Sequence, residues 1–338
     1  MKKFLSTIKR IIKMSIDKSF HPEKKRKNFF RRLYEIVRWQ IKYGNTDIKF
    51  YNLYGLDVEG SLPQDLYLYN QTTYPVIRQE TYMGQPQSMV CLIYDKFLFY
   101  HVLKSNNIPT PEVFAFYLHG IMYTNDMQKI DLDVLKDRKD YFLKDVYGVC
   151  GHCIKHISDY DELLNAIKDL PDGGYILQER IIPCTEELRL FPDSVNTLRL
   201  VTIKSKTGEP KLLAKLHRIG TKETGGVDNF AAGGIAIGIE DNGFLKKYGL
   251  NRKNHTKHEK HPDTGVVFSQ FKVPFLKESI ELVLKAHKYF YNIPSIGWDV
   301  VLTEHGPEIL EGNHDWGISS VQCCDRPIRK EWEEYHKN

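Results

Sequence analysis

The chain has 338 residues, of which 41% are hydrophobic, 27% charged and 12% aromatic, a composition that suits a soluble globular protein and excludes a largely disordered one. No run of 18 apolar residues occurs, which excludes a hydrophobic transmembrane helix, and six cysteines, two of them adjacent at Cys323 and Cys324, do not make a disulfide framework in a chain this long. A reducing, cytoplasmic compartment and two domains, or one domain with a lid, are expected. The net charge of +5 conceals an asymmetry: residues 1–44 carry 14 Lys and Arg against 3 Asp and Glu, a local +11, and the other 294 residues carry 34 against 40, a net of −6.

In chain order, the opening MKKFLSTIKRIIKMSI does not read as a secretory signal, because Lys9, Arg10 and Lys13 interrupt its apolar stretch. Phe4, Ile8, Ile11, Ile12 and Ile16 recur at helical spacing between cations, the pattern of a basic amphipathic arm over residues 1–44. Two uses are open: peripheral contact with an anionic membrane at its inner face, or packing of a helical pair on the main domain through Phe29, Phe30, Leu33, Tyr34 and Val37. No nucleic-acid-binding module follows, so no nucleic-acid partner is expected. Residues 45–88 resist assignment. Ser88 is placed to cap a helix over 89–105, which Asn106, Asn107 and Pro109 would stop. Strands follow near 112–117 and at YFLKD (141–145), then a helix around 159–169 and a strand YILQER (175–180) after the turn PDGG.

The second half is dominated by strands. TLRLVTIK (197–204) and KLLAKLHR (211–218) flank a hairpin signal, SKTGEP. GGIAIGIE (233–240) is a further strand with NGFLKKYGL as its return, and after a helix over 275–291 come IGWDVVLT (296–303) and EILEGN (308–313), joined by the turn EHGP. Helices flanking mostly antiparallel strands define an α+β fold class. The last hairpin carries the chemistry. Asp299 lies on one strand and Glu311 and Asn313 on the next, and Glu311 and Asn313, two apart, share one face of an extended strand. Two carboxylates and an amide oxygen converging in this way form an all-oxygen donor set suited to Mg²⁺.

SVNTLRLVT (194–202), KLHRIGT…DNFAAGG (215–234), HPDTGVVF (261–268) and IGWDVVLTEHGPEILEGN resemble, in order and in combination, the ATP-grasp superfamily, and above all its branch associated with sugar transfer and surface polysaccharides. The resemblance covers about 95–318, roughly two thirds of the chain. It implies two α+β subdomains that clamp MgATP, with ATP and two Mg²⁺ ions as ligands. The expected organisation is the basic arm 1–44, a preceding region 45–94, a lid and nucleotide subdomain 95–183 and a catalytic subdomain 184–330. Lys96 and Lys144 match the family's two nucleotide lysines; a polyanion needs cations approaching from more than one side. Gln178, Glu179, Arg180 and Ile181 resemble the hinge whose backbone reads adenine, with Glu186 or Glu187 as candidate for the ribose. Asp299, Glu311 and Asn313 correspond to the metal ligands.

The same resemblance decides how VYGVCGHCIKH (146–156) is read. Its CGHC has the spacing of a dithiol redox motif, but it follows Lys144 where the family places a Gly-rich loop over the phosphates. Gly148 and Gly151 supply the backbone freedom for N–H groups to face an anion. No thioredoxin-like unit surrounds the motif, and no second pair at zinc spacing occurs, so Cys150 and Cys153 are read as incidental. Arg218 is implied to stabilise the transferred phosphoryl group, Arg199 to position phosphate and Lys215 to support one or the other. Asn229, Gly233 and Gly234 resemble the loop beside the γ-phosphate. One departure stands out: many relatives carry an Arg two residues before the first metal carboxylate, where this chain has Gly297, so that charge must come from elsewhere.

The activity implied is an ADP-forming carboxylate–amine ligase acting through an acyl phosphate. Its acceptor would be a carboxylated sugar or glycan and its second substrate an amino acid or amine. A kinase placing phosphate on a sugar hydroxyl is the alternative, and a nucleotide-binding protein without catalysis a third reading.

Overall fold

The computed structural model describes residues 2–43, 50–68, 90–148, 154–204 and 208–337. Among these, Ser88 and the segment 149–153, with Gly151, Cys150 and Cys153, do not fall, so the cap and most of the flap lie outside the described residues. The expected helix 89–105 is broken in two, α3 (Cys91–Tyr94) and α4 (Lys96–Ser105), preceded in the chain by α1 (Lys2–Ile16) and α2 (Phe29–Tyr43). The break is Asp95, which is extended and whose carboxylate accepts from the N–H groups of Phe97 and Leu98 at 2.9 and 3.0 Å. A side chain that caps the following helix competes with continuation of the preceding one. Asn107, at φ +52°, closes α4 as anticipated.

Two antiparallel sheets form the body. The first has the order β3-β2-β1-β6-β4-β5, from β1 (Val113–Leu118), β2 (Ile121–Tyr123), β3 (Lys129–Ile130), β4 (Tyr141–Asp145), β5 (Ile154–Ile157) and β6 (Gly174–Glu179). Helix α5 (Tyr160–Lys168), capped by Asp159, buries Leu163 and Ala166 on one face of it. The second sheet has the order β11-β10-β9-β8-β7-β12-β13. Its strands are β7 (Leu198–Ile203), β8 (Lys211–Ile219), β9 (Ile235–Gly238), β10 (Gly249–Asn251), β11 (Thr256–His258), β12 (Ser295–Thr303) and β13 (Gly306–Asn313). The short strands β2, β3, β5 and β11 are too brief to declare themselves by alternation. NGFLKKYGL does turn back, through a bridge between Ile239 and Leu245, but regular pairing resumes only at β10.

Helix α4 is wedged between the sheets. Phe97 and Tyr100 join a cluster with Val113, Phe116 and Ile176 of the first sheet. Phe99 and Leu103 join Leu198, Leu200, Trp298 and Ile309 of the second, together with Val283 and Ala286 of α7 (Leu276–His287). Lys96, at its N-terminus, therefore enters the space where the sheets meet.

The opposite face of the second sheet is covered by the N-terminal helices, residues 50–68, α8 (Ile318–Cys324) and α9 (Arg329–Lys337), while α6 (Thr185–Leu190) packs Leu190 into the cluster of α4 and α7. The anchors are not the expected ones. Phe30 is 79% and Tyr34 66% exposed, whereas Ile36 and Trp39 are fully buried with Ile11, Tyr51 and Leu53 against Val201, Leu216 and Trp316. Leu33 and Val37 do pack there, half-buried. Several arm cations are engaged internally: Lys27 with Glu35 at 2.8 Å, and Arg26 with the buried Asp57 at 3.0 Å. Among the described residues, no helix is long and apolar enough to cross a membrane.

Candidate active site

Strand β12 lies between β7 and β13 and is buried along its whole length. A charge on such a strand must be paired. Its one charged side chain, Asp299, lies opposite Arg199 of β7 and Glu311 of β13. Arg199 reaches both carboxylate oxygens, its Nη2 at 3.1 Å, and gives Nη1 to the carbonyl of Trp316 at 3.0 Å. Leu216 of β8 lies opposite Arg199, and Arg218, two residues on, shares that face and places Nη2 at 2.9 Å from Asp299. Burial opposes ionisation of Asp299, but Arg199 and Arg218 outweigh it and hold the carboxyl well below the usual range.

Arg218 is fixed from a further side. Its Nε and Nη2 donate to the Thr197 hydroxyl at 3.0 and 2.6 Å, and that hydroxyl donates to Asp228 at 2.6 Å. Burial would weaken the guanidinium's charge, yet Asp299, Asp228 and Glu311 raise its pKa. Gly297 explains the missing arginine. A Cβ there would lie 2.2 Å from Cβ of Trp316 and 3.3 Å from Cδ of Arg199, so no side chain fits and the Arg199 stem occupies that space.

Glu311 makes no ion pair among the described residues, and burial, then the charge of Asp299, push it up to about 7. The Asn313 Nδ2 is turned to the Gly297 carbonyl and Asp299, each at 3.4 Å. Among the described residues no three His, Cys, Asp or Glu side chains form a metal cluster, so the donor set is two carboxylates and one amide. It fits a hard divalent cation: a buried carboxyl held near neutrality by its neighbour is the group whose ionisation such a cation would relieve.

Two lysines face this floor, one from β4 and one from α4. Lys144 of β4 is buried; its Nζ donates to Gln178 of β6 at 2.7 Å, and burial lowers it to about 8 against the pull of Glu311. Lys96 donates to the carbonyl of Gly148, and burial lowers it too, opposed by Glu311, Asp145 and Asp95. Glu311 of the second sheet thus acts on Lys96 of α4 and Lys144 of the first sheet, which brings the two groups of residues within electrostatic reach of each other.

Residues 78–331 match the sugar-transfer associated ATP-grasp family. The chain belongs to that family. No curated protein matches it in sequence. Among solved structures, the D-alanine–D-alanine ligase from Coxiella burnetii is 13% identical with a TM-score of 0.42, over 80% of this chain and 62% of that one. The N5-carboxyaminoimidazole ribonucleotide synthetase from Thermotoga maritima is 14% identical with a TM-score of 0.40, over 70% and 47%. The L-amino acid ligase from Bacillus licheniformis is 15% identical with a TM-score of 0.41, over 70% and 44%. The chain spans less than two thirds of each of those structures, and likenesses this distant carry no argument about activity.

Other family positions fall around this ATP-grasp centre with differing success. The Gln178 side chain is buried beside Lys144, and beyond it the Glu179 N–H is bonded to Glu112, while the backbone of Ile181 makes no hydrogen bond among the described residues. Arg180 pairs with Asp140 instead. Asn229 shapes its own loop: its side chain accepts from Ala231 and its carbonyl from Gly234. Gly234 has no room for a side chain, since a Cβ would meet the Asp228 carbonyl at 2.5 Å.

Two expectations are corrected. Lys215 is three residues from Arg218, so the strand turns it to the other face, where it pairs with Asp241 at 2.7 Å. Glu187 is fully buried on α6 and accepts from His217 at 3.0 Å, which removes it as a ribose contact and leaves Glu186. Thr197, Asp228 and Trp316 were not anticipated as parts of the site. Thr197 and Asp228 lie inside the family segments, but nothing in their spacing announces that they serve Arg218.

Proposed function

We propose that this chain is an ATP-dependent, ADP-forming carboxylate–amine ligase that joins an amino acid or amine to a carboxylated sugar in surface-polysaccharide assembly. The observation that supports it is the approach of Lys96 from α4 and Lys144 from the first sheet to Asp299, Glu311, Asn313 and Arg218 of the second. A triphosphate entering between them meets two lysines that make no ion pair among the described residues on one side and a fixed arginine on the other. In this reading residues 95–183 are the lid and nucleotide subdomain and 184–330 the catalytic subdomain. Gln178, Glu179 and Ile181 receive the adenine, and Gly148 begins the flap over the phosphates with Gly151.

Asp299, Glu311 and Asn313 would hold Mg²⁺, two ions in the full site, whose charge offsets that of the phosphate oxygens. The substrate carboxylate attacks the γ-phosphorus, ADP leaves, and the amine nitrogen then attacks the acyl carbon, expelling phosphate and losing a proton. Arg218 faces the transferred group and stabilises charge as it develops, while Arg199 keeps Asp299 and the floor in place. The closed lid keeps water from the acyl phosphate. Residues 1–44 fit peripheral contact with an anionic surface at the inner face of the membrane.

The test is the mass of a reacted acceptor after incubation with MgATP, uronic-acid glycans and mixed amino acids, against a control lacking ATP. Glycan plus amino acid minus water, with ADP formed, is the expected product. A product heavier by one phosphoryl group would mean a sugar kinase and overturn the ligase.

A further inference from the structure

We propose that the paired N-terminal helices form a docking face for an anionic lipid bilayer, held in fixed orientation to the cleft. This rests on the peripheral contact just proposed for residues 1–44, and not on the ligase chemistry. A helix that only packs on a domain turns its apolar residues inward. These two helices carry more apolar residues than the core takes. On α1 the core receives Ile11 and Ser15, with Met14 half-buried, while Leu5, Ile8, Ile12 and Ile16 are exposed, Ile16 by 61%. At 3.6 residues per turn those four lie within roughly 80° of one another. On α2 Phe30, Tyr34 and Ile41 form a second exposed stripe, Ile41 by 82%, confined to roughly 40°. Single exposed hydrophobic residues are ordinary; an exposed apolar stripe on each of two neighbouring helices that pack together marks an interaction surface.

Charge selects the occupant. Lys9 and Lys13 come next to the α1 stripe around the helix, and Lys18, Lys24 and Lys25 lie in the connection to α2. None of the five makes an ion pair among the described residues, in contrast to Arg26 and Lys27. A local +11 against −6 elsewhere would orient the molecule on an anionic surface, and would set two copies of this face against each other. Apolar stripes bordered by free lysines are the composition of an interfacial helix pair.

The face is not a detachable arm. Ile36 and Trp39 share one buried cluster with Val201 of β7 and Leu216 of β8, the strands that bear Arg199 and Arg218, and with Trp316, which abuts Gly297. Docking therefore fixes how the cleft meets the bilayer, and deleting residues 1–44 would remove core residues rather than test the surface.

The experiment uses the full chain without nucleotide, so that a failed ligase reading leaves it untouched. Co-sedimentation is measured with vesicles of phosphatidylcholine alone and with phosphatidylglycerol added, for the wild type, for Ile12→Glu/Ile16→Glu/Phe30→Glu and for Lys9→Glu/Lys13→Glu. Binding is expected only to the phosphatidylglycerol vesicles, and both variants are expected to bind about tenfold or more weakly with unchanged melting. Should the triple variant misfold, the Lys9/Lys13 variant, which changes only exposed side chains, decides alone. Equal binding by folded variants and wild type, or no binding to either vesicle, would overturn the proposal. So would a wild-type dimer that dissociates in the variants without vesicle binding, since a second copy would then cover the face.

Discussion

Lys96 and Lys144 on one side of the cleft and Arg199 and Arg218 on the other lie within electrostatic reach of the same carboxyl, Glu311, yet they are held in opposite ways. The lysines donate to uncharged oxygens, the carbonyl of Gly148 and the amide of Gln178, and burial weakens their charge. The arginines share a buried carboxylate, which raises the pKa of Arg218. The lysine ammonium groups thus rest on neutral oxygens, with carboxylates only at a distance, whereas the arginines are tied directly to a carboxylate within the fold.

The largest effect expected breaks the floor. Asp299→Asn leaves two enclosed guanidinium groups without their carboxylate, so unfolding in urea should show a loss of about 3–5 kcal/mol. ADP formation should fall by about 10³ or more, since the variant loses a metal ligand and the setting of Arg218 together. Wild-type stability in this variant would mean that Asp299 does not hold the arginines.

Lys144→Met should do the reverse to stability. Lowering an ammonium from 10.5 to about 8 costs about 3 kcal/mol in its charged form, so the ligand-free variant should gain up to that amount at neutral pH. The sign also sets the pH dependence. The folded protein binds fewer protons than the unfolded chain between about 8 and 10.5, so this site's destabilisation is complete below 8 and fades as pH rises. ATP affinity, by titration calorimetry, should fall about tenfold or more. A variant that is destabilised and still binds ATP would erase the contrast between the two sides.

What could be read in the sequence divides along the same line. Lys96 and Lys144 could be singled out only because their segments resemble a family, and Glu311 and Asn313 because a two-residue step on a strand gives them a common face. The Arg199–Asp299–Arg218 clamp was not, since only the order β8-β7-β12 brings together strands about a hundred residues apart, as the separation of Arg199 and Asp299 illustrates. Lys215 could have been excluded by strand alternation alone. The amphipathicity of α2 was visible, but not its inward side, because Phe30 and Tyr34 compete with Ile36 and Trp39 and only the partner surface decides.

A smaller and slower-varying signal comes from Glu311. A carboxyl raised from 4.5 to about 7 is protonated more in the folded than in the unfolded chain between those values, so stability should fall as pH rises through that window, by about 3 kcal/mol in all. Glu311→Gln should flatten this slope, stabilise the ligand-free protein at pH 8 and abolish ADP formation. A slope unchanged in the variant would assign it to another group and deprive the metal reading of its strongest physical support.

The smallest effect is expected at CGHC. Gly148, just before this segment, lies in a turn, its N–H bonded to the Asp145 carbonyl and its own carbonyl to Lys96, and the flap proposed here follows it. A flap acts on phosphate through backbone N–H groups, which thiols do not supply. Cys150→Ser/Cys153→Ser should therefore leave ADP formation within about twofold of wild type, with and without a reductant. Total loss would give the thiols chemistry of their own and revive a redox or metal role for the CGHC motif.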